Sequence, residues 1–182
     1  MRIDPNSNSE YKAVEYADWH CWKSVITPYT EQGWTTTPTA DFSTPTMDFL
    51  DYDATISKNN ELRYIVEIKS RGDNIKPTTY DEFIIDSSKV EKLKKAMEEK
   101  GVDAYIFELF PNHGVGYIWH ISPLNSEFRE VYINANENTI AGNSKVRKKM
   151  CMLPHSNATA VNFNTDLWST MHEKAVKYYA KN

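Results

Sequence analysis

Cysteine, glycine and long apolar runs are all scarce in this sequence of 182 residues. The two cysteines, Cys21 and Cys151, are far apart, so no disulfide framework is expected and a reducing, cytoplasmic compartment is the simpler interpretation. No apolar run approaches the roughly 18–20 residues of a membrane helix, and the first residues lack the basic-then-apolar pattern of a signal peptide. The glycines form neither common pattern of a nucleotide-phosphate loop. We therefore expect neither a disulfide scaffold, a membrane partner nor a nucleotide-loop enzyme.

The composition is that of an ordinary globular chain. Hydrophobic residues make up 40% and charged residues 25%, which predicts one domain over residues 1–182 rather than two. The net charge of -4 argues against broad, non-specific binding of nucleic acid, which usually shows a basic excess. A local basic face is still compatible with this balance, and the clearest basic run contains Lys145, Arg147, Lys148 and Lys149.

Hydrophobic periodicity predicts blocks of helix and strand. Helical spacing of apolar residues predicts helices at about 9–26, 88–100 and 166–179. The second of these opens with a capping-box pattern at Ser88 and is stopped by Gly101. Strand formers predict strands at about 34–37, 49–56, 62–69, 103–110 and 115–121. Residues 70–85 are expected to be mostly loop, residues 125–144 are uninformative, and the order of elements indicates an α/β domain.

The chemistry of the chain is concentrated in the strand predicted at about 62–69. Side chains alternate along a strand, so Glu67 and Lys69 project from one face while the apolar residues between them form the other. A carboxylate and an amine on an otherwise hydrophobic strand suggest a site rather than an ordinary exposed face.

Pairing with the preceding strand supplies a second carboxylate. If the two strands form a hairpin and bury their apolar residues on the same side, Asp53 lies opposite Glu67. The two Cβ atoms would then be about 5 Å apart, a distance that suits two carboxylates sharing one divalent ion. Asp51 is the second choice for this ligand and Asp48 the third.

Two carboxylates this close repel each other unless a cation lies between them. Hard oxygen ligands with room for water favour Mg²⁺ or Mn²⁺, and the carbonyl of Ile68 could add a further ligand. Lys69 would lie beside the ion, where it can orient a water molecule or stabilise charge on a phosphate. This arrangement predicts metal-assisted hydrolysis of a phosphodiester.

An Asp followed by Glu-x-Lys on the next strand resembles the PD-(D/E)xK nuclease superfamily, which has the restriction-endonuclease-like fold. The continuation through Ser70 and Arg71 looks like small phage and bacterial members, and the resemblance covers about residues 10–121. It implies a central mixed β-sheet flanked by α-helices, with a C-terminal extension beyond this core. It also implies metal ligation by Asp53 and Glu67, with Lys69 catalytic.

The resemblance suggests further site residues. Members often add a carboxylate from the first helix, for which Glu10 and Glu15 are candidates, and others use a later polar residue, here Lys89. One departure from the pattern is that no proline directly precedes Asp53, whereas Pro45 precedes Asp48 by three residues.

The resulting hypothesis is a magnesium-dependent deoxyribonuclease, either a phage-type endonuclease or an enzyme similar to a Holliday-junction resolvase. DNA is the expected partner, contacted by Lys89, Lys145, Arg147 and Lys148, and a homodimer would provide two sites to cut two strands. The alternative is a catalytically inactive nucleic-acid-binding or assembly protein on the same fold. A zinc site built from His20 and Cys21 or from Cys151 and His155 is disfavoured, because neither pair has a partner at a standard spacing and Cys21 falls on the apolar face of its helix.

Overall fold

A computed structural model describes residues 8–46, 50–72, 75–136 and 145–181. The three helices in these ranges are α1 (Asn8–Ile26), α2 (Ser87–Lys100) and α3 (Thr165–Tyr179). The strands are β1 (Trp34–Pro38), β2 (Ala54–Lys58), β3 (Glu61–Ser70), β4 (Glu82–Asp86), β5 (Asp103–Phe110), β6 (Val115–Ile121), β7 (Arg129–Asn136), β8 (Lys145–Pro154) and β9 (Thr159–Asn162). In these ranges, no helix combines the length and the apolar character needed to cross a membrane.

The central sheet has six strands in the order β1-β2-β3-β5-β6-β9. All neighbours are antiparallel except β3 and β5, which run parallel and are connected through β4 and α2. A mixed sheet flanked by helices confirms the expected α/β class. The parallel pair matters for the site, because it places Lys69 directly beside Glu108.

The β2–β3 hairpin has the register that brings residue 53 level with residue 67. Ala54 pairs with Val66, and the amide of Asp53 donates to the carbonyl of Val66 at 2.8 Å. The turn is made by Asn59 and Asn60, both with positive φ, as a tight hairpin turn requires. The predicted hairpin is therefore confirmed.

The first strand of this hairpin is shorter than predicted. It begins at Ala54, and residues 50–53 lie outside it. Tyr52 consequently packs on the α2 side of the sheet, whereas Ala54 and Ile56 pack on the α1 side, so the predicted single apolar face ends at residue 54. Asp48, the third candidate ligand, lies outside the described residues.

Apolar cores cover both faces of the central sheet. On one face, Val66 and Ile68 pack against Trp19 and Trp22 of α1. On the other, Ile65 packs with residues of α2 and of a second sheet, among them Leu93 and Leu153. Glu67 and Lys69 alternate with these buried residues on the α2 face, so the polar pair projects from a face that is otherwise covered.

The second sheet has three antiparallel strands in the order β4-β8-β7. Strand β4 lies at the end of the segment 70–85, where the expectation of a loop is wrong. Strand β7 lies in the uninformative segment 125–144, and β8 follows it in residues for which no element was predicted. The start of α2 also differs from the expectation, because the cap is Asp86, whose carboxylate accepts the amide of Ser88 at 3.0 Å. Ser88 is therefore inside the first turn, while Gly101 ends the helix as predicted, with φ of 65°.

Candidate functional site

Asp53 and Glu67 lie next to each other where β2 ends beside β3. Asp53 Oδ2 accepts the backbone amide of Ile68 at 2.6 Å, so this carboxylate replaces a main-chain acceptor just beyond the end of β2. Glu67 is buried, at 4% exposure, and its Oε2 atom has no hydrogen-bond partner among the described residues. The structure thus brings together the two carboxylates that the sequence selected.

Burial and mutual repulsion act on both acids. Burial, followed by the charge of Asp53, raises the pKa of Glu67 to about 8. Burial likewise raises the pKa of Asp53, although the amide of Ile68 opposes this. A pair of carboxylates with raised pKa values binds a cation readily, because the cation removes the cost of holding both charges.

Lys69 projects from the same face of β3 as Glu67. The pKa of Lys69 is lowered, chiefly by burial and also by the charge of Arg71, whereas the charge of Glu67 acts in the opposite direction. The residue keeps solvent contact, and no ion pair joins it to another described residue. Its ammonium group is therefore available to a ligand.

Lys89 of α2 is the cation nearest to Glu67. Its Nζ atom lies 3.1 Å from Glu67 Oε1, so it neutralises part of the acidic pair from the helix side. The charges of Glu67 and Asp53 favour the ammonium form and raise the pKa of Lys89, although burial, the largest single influence, acts against this. Lys89, predicted to bind substrate, therefore lies beside the acidic pair, with its ammonium group on the carboxylate of Glu67.

The remaining acidic candidates separate clearly. Asp51 is exposed, and its Oδ1 atom lies 3.8 Å from Lys92 Nζ rather than facing the acidic pair. Glu15 lines a small cavity of about 40 Å³ together with Asp53, whereas Glu10 acts electrostatically on His172 of α3.

The basic run on β8 is divided between two environments. Lys148 lines the cleft described below, with its Nζ atom 3.8 Å from Asp86. Arg147 packs over the ring of Tyr132, and Lys149 pairs with Glu130 at 2.7 Å. Lys145 is exposed at the start of the strand. Of the three substrate candidates on β8, one faces the cleft.

The site contains residues that the sequence analysis missed. Asp18 of α1 is buried and accepts a hydrogen bond from Trp168 Nε1 at 2.6 Å. Burial raises its pKa to about 7, and Asp53 and Lys69 are among the charges that act on it. Asp18 follows Ala17 on α1, but nothing in the sequence singled it out or indicated that this part of the helix meets β3.

A second buried carboxylate, Glu108, lies beside Lys69 on β5. It accepts Arg71 Nε at 2.5 Å on one oxygen and contacts His155 Nε2 at 3.0 Å with the other. Arg71 also donates to the carbonyl of Ile84 at 2.9 Å. These residues come from distant parts of the chain, so only the fold reveals them.

Glu67, Lys69 and Lys89 open onto one cleft, whereas Asp53, beside Glu67, lines the small cavity next to Glu15. The volume of the cleft is about 560 Å³, and its far wall is the second sheet, including Ile84, Ile133 and Met150. Glu67, Lys69, Arg71 and Glu108 lie on the side formed by the central sheet. An apolar wall facing a charged row is the common form of a pocket that binds a polar ligand with partial exclusion of water.

Protein ligands for a metal are few. Among the described residues, no three His, Cys, Asp or Glu side chains converge as a metal-binding group. Cys21 and Cys151 are both buried and free. A thiolate zinc centre therefore has no basis in the part of the chain that the structure describes.

Neither protein-family models nor curated protein sequences gave a match to this chain. One solved structure with similarity is Hjc from Archaeoglobus fulgidus, a Holliday junction resolvase from an archaeal hyperthermophile. The alignment covers 54% of this chain and 73% of Hjc, with 13% identity and a TM-score of 0.38. This similarity is weak, so the function has to be argued from the residues of the site.

Proposed function

We propose that this protein is a divalent-metal-dependent nuclease that hydrolyses phosphodiester bonds of DNA. The observation that carries the proposal is the unpartnered Oε2 atom of Glu67, buried beside a second carboxylate and two residues before Lys69 on one strand. A buried carboxylate oxygen without a partner is costly, and a bound cation would satisfy it.

The residues fit Mg²⁺ or Mn²⁺. Asp53 and Glu67 provide two carboxylates. The amide and the carbonyl of a strand residue point to the same neighbouring strand. Because the amide of Ile68 donates to Asp53, the carbonyl of Ile68 also lies on the Asp53 side of β3. Mg²⁺ is commonly held by one or two carboxylates, with waters and substrate phosphates completing its shell. Two carboxylate side chains and one carbonyl fit this coordination of Mg²⁺ better than they fit the four protein ligands of a structural zinc site.

When bound there, the ion would supply Lewis-acid stabilisation and an activated water for attack on phosphorus. Lys69 donates hydrogen bonds to the phosphate from the same face and stabilises the negative charge that develops on its oxygens. Lys89 lies 3.1 Å from Glu67 Oε1 and would be able to contact a neighbouring phosphate if Glu67 held an ion instead. The apolar wall of the second sheet limits access of water to this row of charges.

DNA is the proposed substrate, cut as a phage-type endonuclease or a junction-resolving enzyme would cut it. Lys148 contributes to the cleft, and Lys145 and Arg147 extend a basic strand beyond it. A homodimer in the cytoplasm completes the proposal, because cutting two strands takes two such sites.

The test is cleavage of labelled DNA with Mg²⁺ or Mn²⁺ against an EDTA control. D53N, E67Q and K69A are compared with K95A, whose lysine is exposed on α2 away from the cleft. Mn²⁺ titration followed by electron paramagnetic resonance supplies a readout independent of activity, and D53N and E67Q should weaken Mn²⁺ binding. Cleavage that survives K69A and E67Q at the wild-type rate contradicts the proposal.

A nucleic-acid-binding protein without catalysis is the second candidate. The contact between Lys89 and Glu67 favours it, because an ammonium group already neutralises part of the acidic pair. Such a protein binds DNA equally well with and without Mg²⁺, keeps that affinity in K69A, and shows no cleavage.

A further inference from the structure

Glu108 holds two cationic or proton-donating side chains at the edge of the cleft. It is 2% exposed, and its two oxygens contact Arg71 and His155 separately. Arg71 is further fixed by the carbonyl of Ile84 and by packing over the ring of Phe83, with its guanidinium carbon 4.3 Å from the ring centre. The guanidinium therefore has one preferred orientation before any ligand arrives.

This fixing uses only part of the hydrogen-bonding capacity of Arg71. Its Nε and Nη2 atoms donate to protein acceptors, while Nη1 donates to no residue in the described part of the chain. Both Arg71 and His155 line the cleft, at 20% and 15% side-chain exposure. A guanidinium with a free, fixed pair of donors matches the oxygens of a phosphate.

The position of Arg71 relates it to the proposed metal site. It follows Lys69 by two residues, and its amide donates to Leu109 at 2.9 Å, so the β3–β5 ladder continues through it. Two residues along a strand correspond to about 6.6 Å. The side chains of Lys69 and Arg71 therefore leave the backbone at this spacing on the same side of the strand, and both line the cleft, as binding of a polymer with regularly spaced negative charges would require.

We propose that Arg71 and His155 form a second phosphate subsite, which binds the phosphodiester next to the one contacted by Lys69, and that Glu108 is its positioning residue. The inference rests on the proposed function in that the ligand is a nucleic acid strand. It extends that function by assigning an ordered second contact along the strand.

Binding in EDTA tests the subsite without catalysis. Fluorescence anisotropy of a labelled single-stranded oligonucleotide is measured over a range of salt concentrations for wild type, R71Q, R71K and H155Q. R63Q is the matched control, since Arg63 is an exposed residue of the same strand bound to Glu61. We expect R71Q to weaken binding roughly tenfold and to reduce the slope of log K against log salt by about 1.

R71K keeps the charge beside Glu108 and should bind with intermediate affinity, because it loses the planar fork. E108Q should weaken binding in the same direction as R71Q and should change the salt slope, which a purely structural role would leave alone. If R71Q fails to fold, R71K and H155Q decide the matter. Affinities and salt slopes for these variants equal to those of R63Q overturn the subsite.

The two proposals fail separately. Wild-type cleavage with unchanged binding in R71Q and R71K supports the nuclease and overturns the subsite. Arg71-dependent binding without cleavage under Mg²⁺ or Mn²⁺ supports the subsite and contradicts the nuclease. A final measurement uses millimolar inorganic phosphate as the ligand. If phosphate stabilises wild type but not R71K, and the oligonucleotide does not bind, then the site binds free phosphate. The proposal of a strand subsite is wrong in that case.

Discussion

Two buried glutamates on adjacent strands, Glu67 on β3 and Glu108 on β5, are held in opposite ways. Both oxygens of Glu108 have partners, Arg71 and His155. Glu67 has Lys89 on one oxygen and, in the part of the chain that the structure describes, no hydrogen-bond partner on the other, and burial beside Asp53 raises its pKa to about 8. Burial of a carboxylate alone is therefore no argument for a metal site, and the proposal rests on the unsatisfied oxygen of Glu67.

The comparison predicts its largest effect in catalysis. We expect E67Q and K69A each to lower the rate of DNA cleavage by about 10³-fold, because each removes a group that acts on the reacting phosphate or its ion. Single-turnover cleavage of labelled DNA with Mg²⁺ measures this. E108Q should retain a much larger share of the rate, and equal losses in E67Q and E108Q would erase the distinction.

Stability should respond in the reverse order. E108Q leaves Arg71 without its carboxylate, and we expect a loss of about 2–3 kcal/mol in the free energy of unfolding, because a buried charge pair is broken. E67Q removes a poorly compensated charge and should change stability by less than about 1 kcal/mol. Urea denaturation in EDTA gives both values, and a larger loss in E67Q than in E108Q contradicts the comparison.

Metal binding should distinguish the two residues as well. Mg²⁺ at about 100 times its dissociation constant should raise the free energy of unfolding of wild type by about 2.7 kcal/mol. Thermal unfolding with and without Mg²⁺ should show this shift in wild type and in H155Q. E67Q should show little or none, and a full shift in E67Q would exclude Glu67 as a ligand.

The stability of the fold should also depend on pH through Asp18, a third buried carboxylate. Burial raises the pKa of Asp18 from 3.8 to about 7, so between these values the folded chain holds a proton that the unfolded chain has released. The free energy of unfolding therefore falls as pH rises through this window, by at most about 1.4 kcal/mol per pH unit for this group. D18N, which keeps an oxygen for Trp168, should reduce the dependence measured by denaturation in EDTA between pH 5 and 8 and leave the part due to Glu67, whose pKa burial raises to about 8. A wild-type slope in D18N would show that Asp18 does not titrate in this range.

Local pattern was sufficient for much of the central sheet. The predicted strands 103–110 and 115–121 match β5 and β6, because their apolar content and the intervening turn leave few alternatives. The parity argument placed Asp53 beside Glu67, because side-chain alternation and hairpin register are local properties. It failed at Tyr52, where the chain had already left the strand.

The second sheet was missed, although part of it has a strand pattern. Strand β7 alternates Glu130, Tyr132 and Asn134 with Val131 and Ile133, the period of two that is typical of a half-buried strand, whereas its partner β8 begins with a basic run. A basic run becomes a strand through pairing and through burial against another layer rather than through intrinsic preference. The apolar residues of these strands line the cleft only because the second sheet lies opposite the α2 face of the central sheet.

The sequence by itself determined the α/β class, the hairpin and the placement of Asp53, Glu67 and Lys69 on neighbouring segments, because these depend on periodicity over a few residues. Only the tertiary structure joined Glu108 to Arg71 and His155 and brought Asp18 near the acidic pair. Those contacts link residues as much as 47 positions apart, such as Glu108 and His155, and burial then fixes their charges. The physical reason is that the partner which satisfies a buried charge, or leaves it unsatisfied, is chosen by packing between layers, and no local pattern encodes that choice.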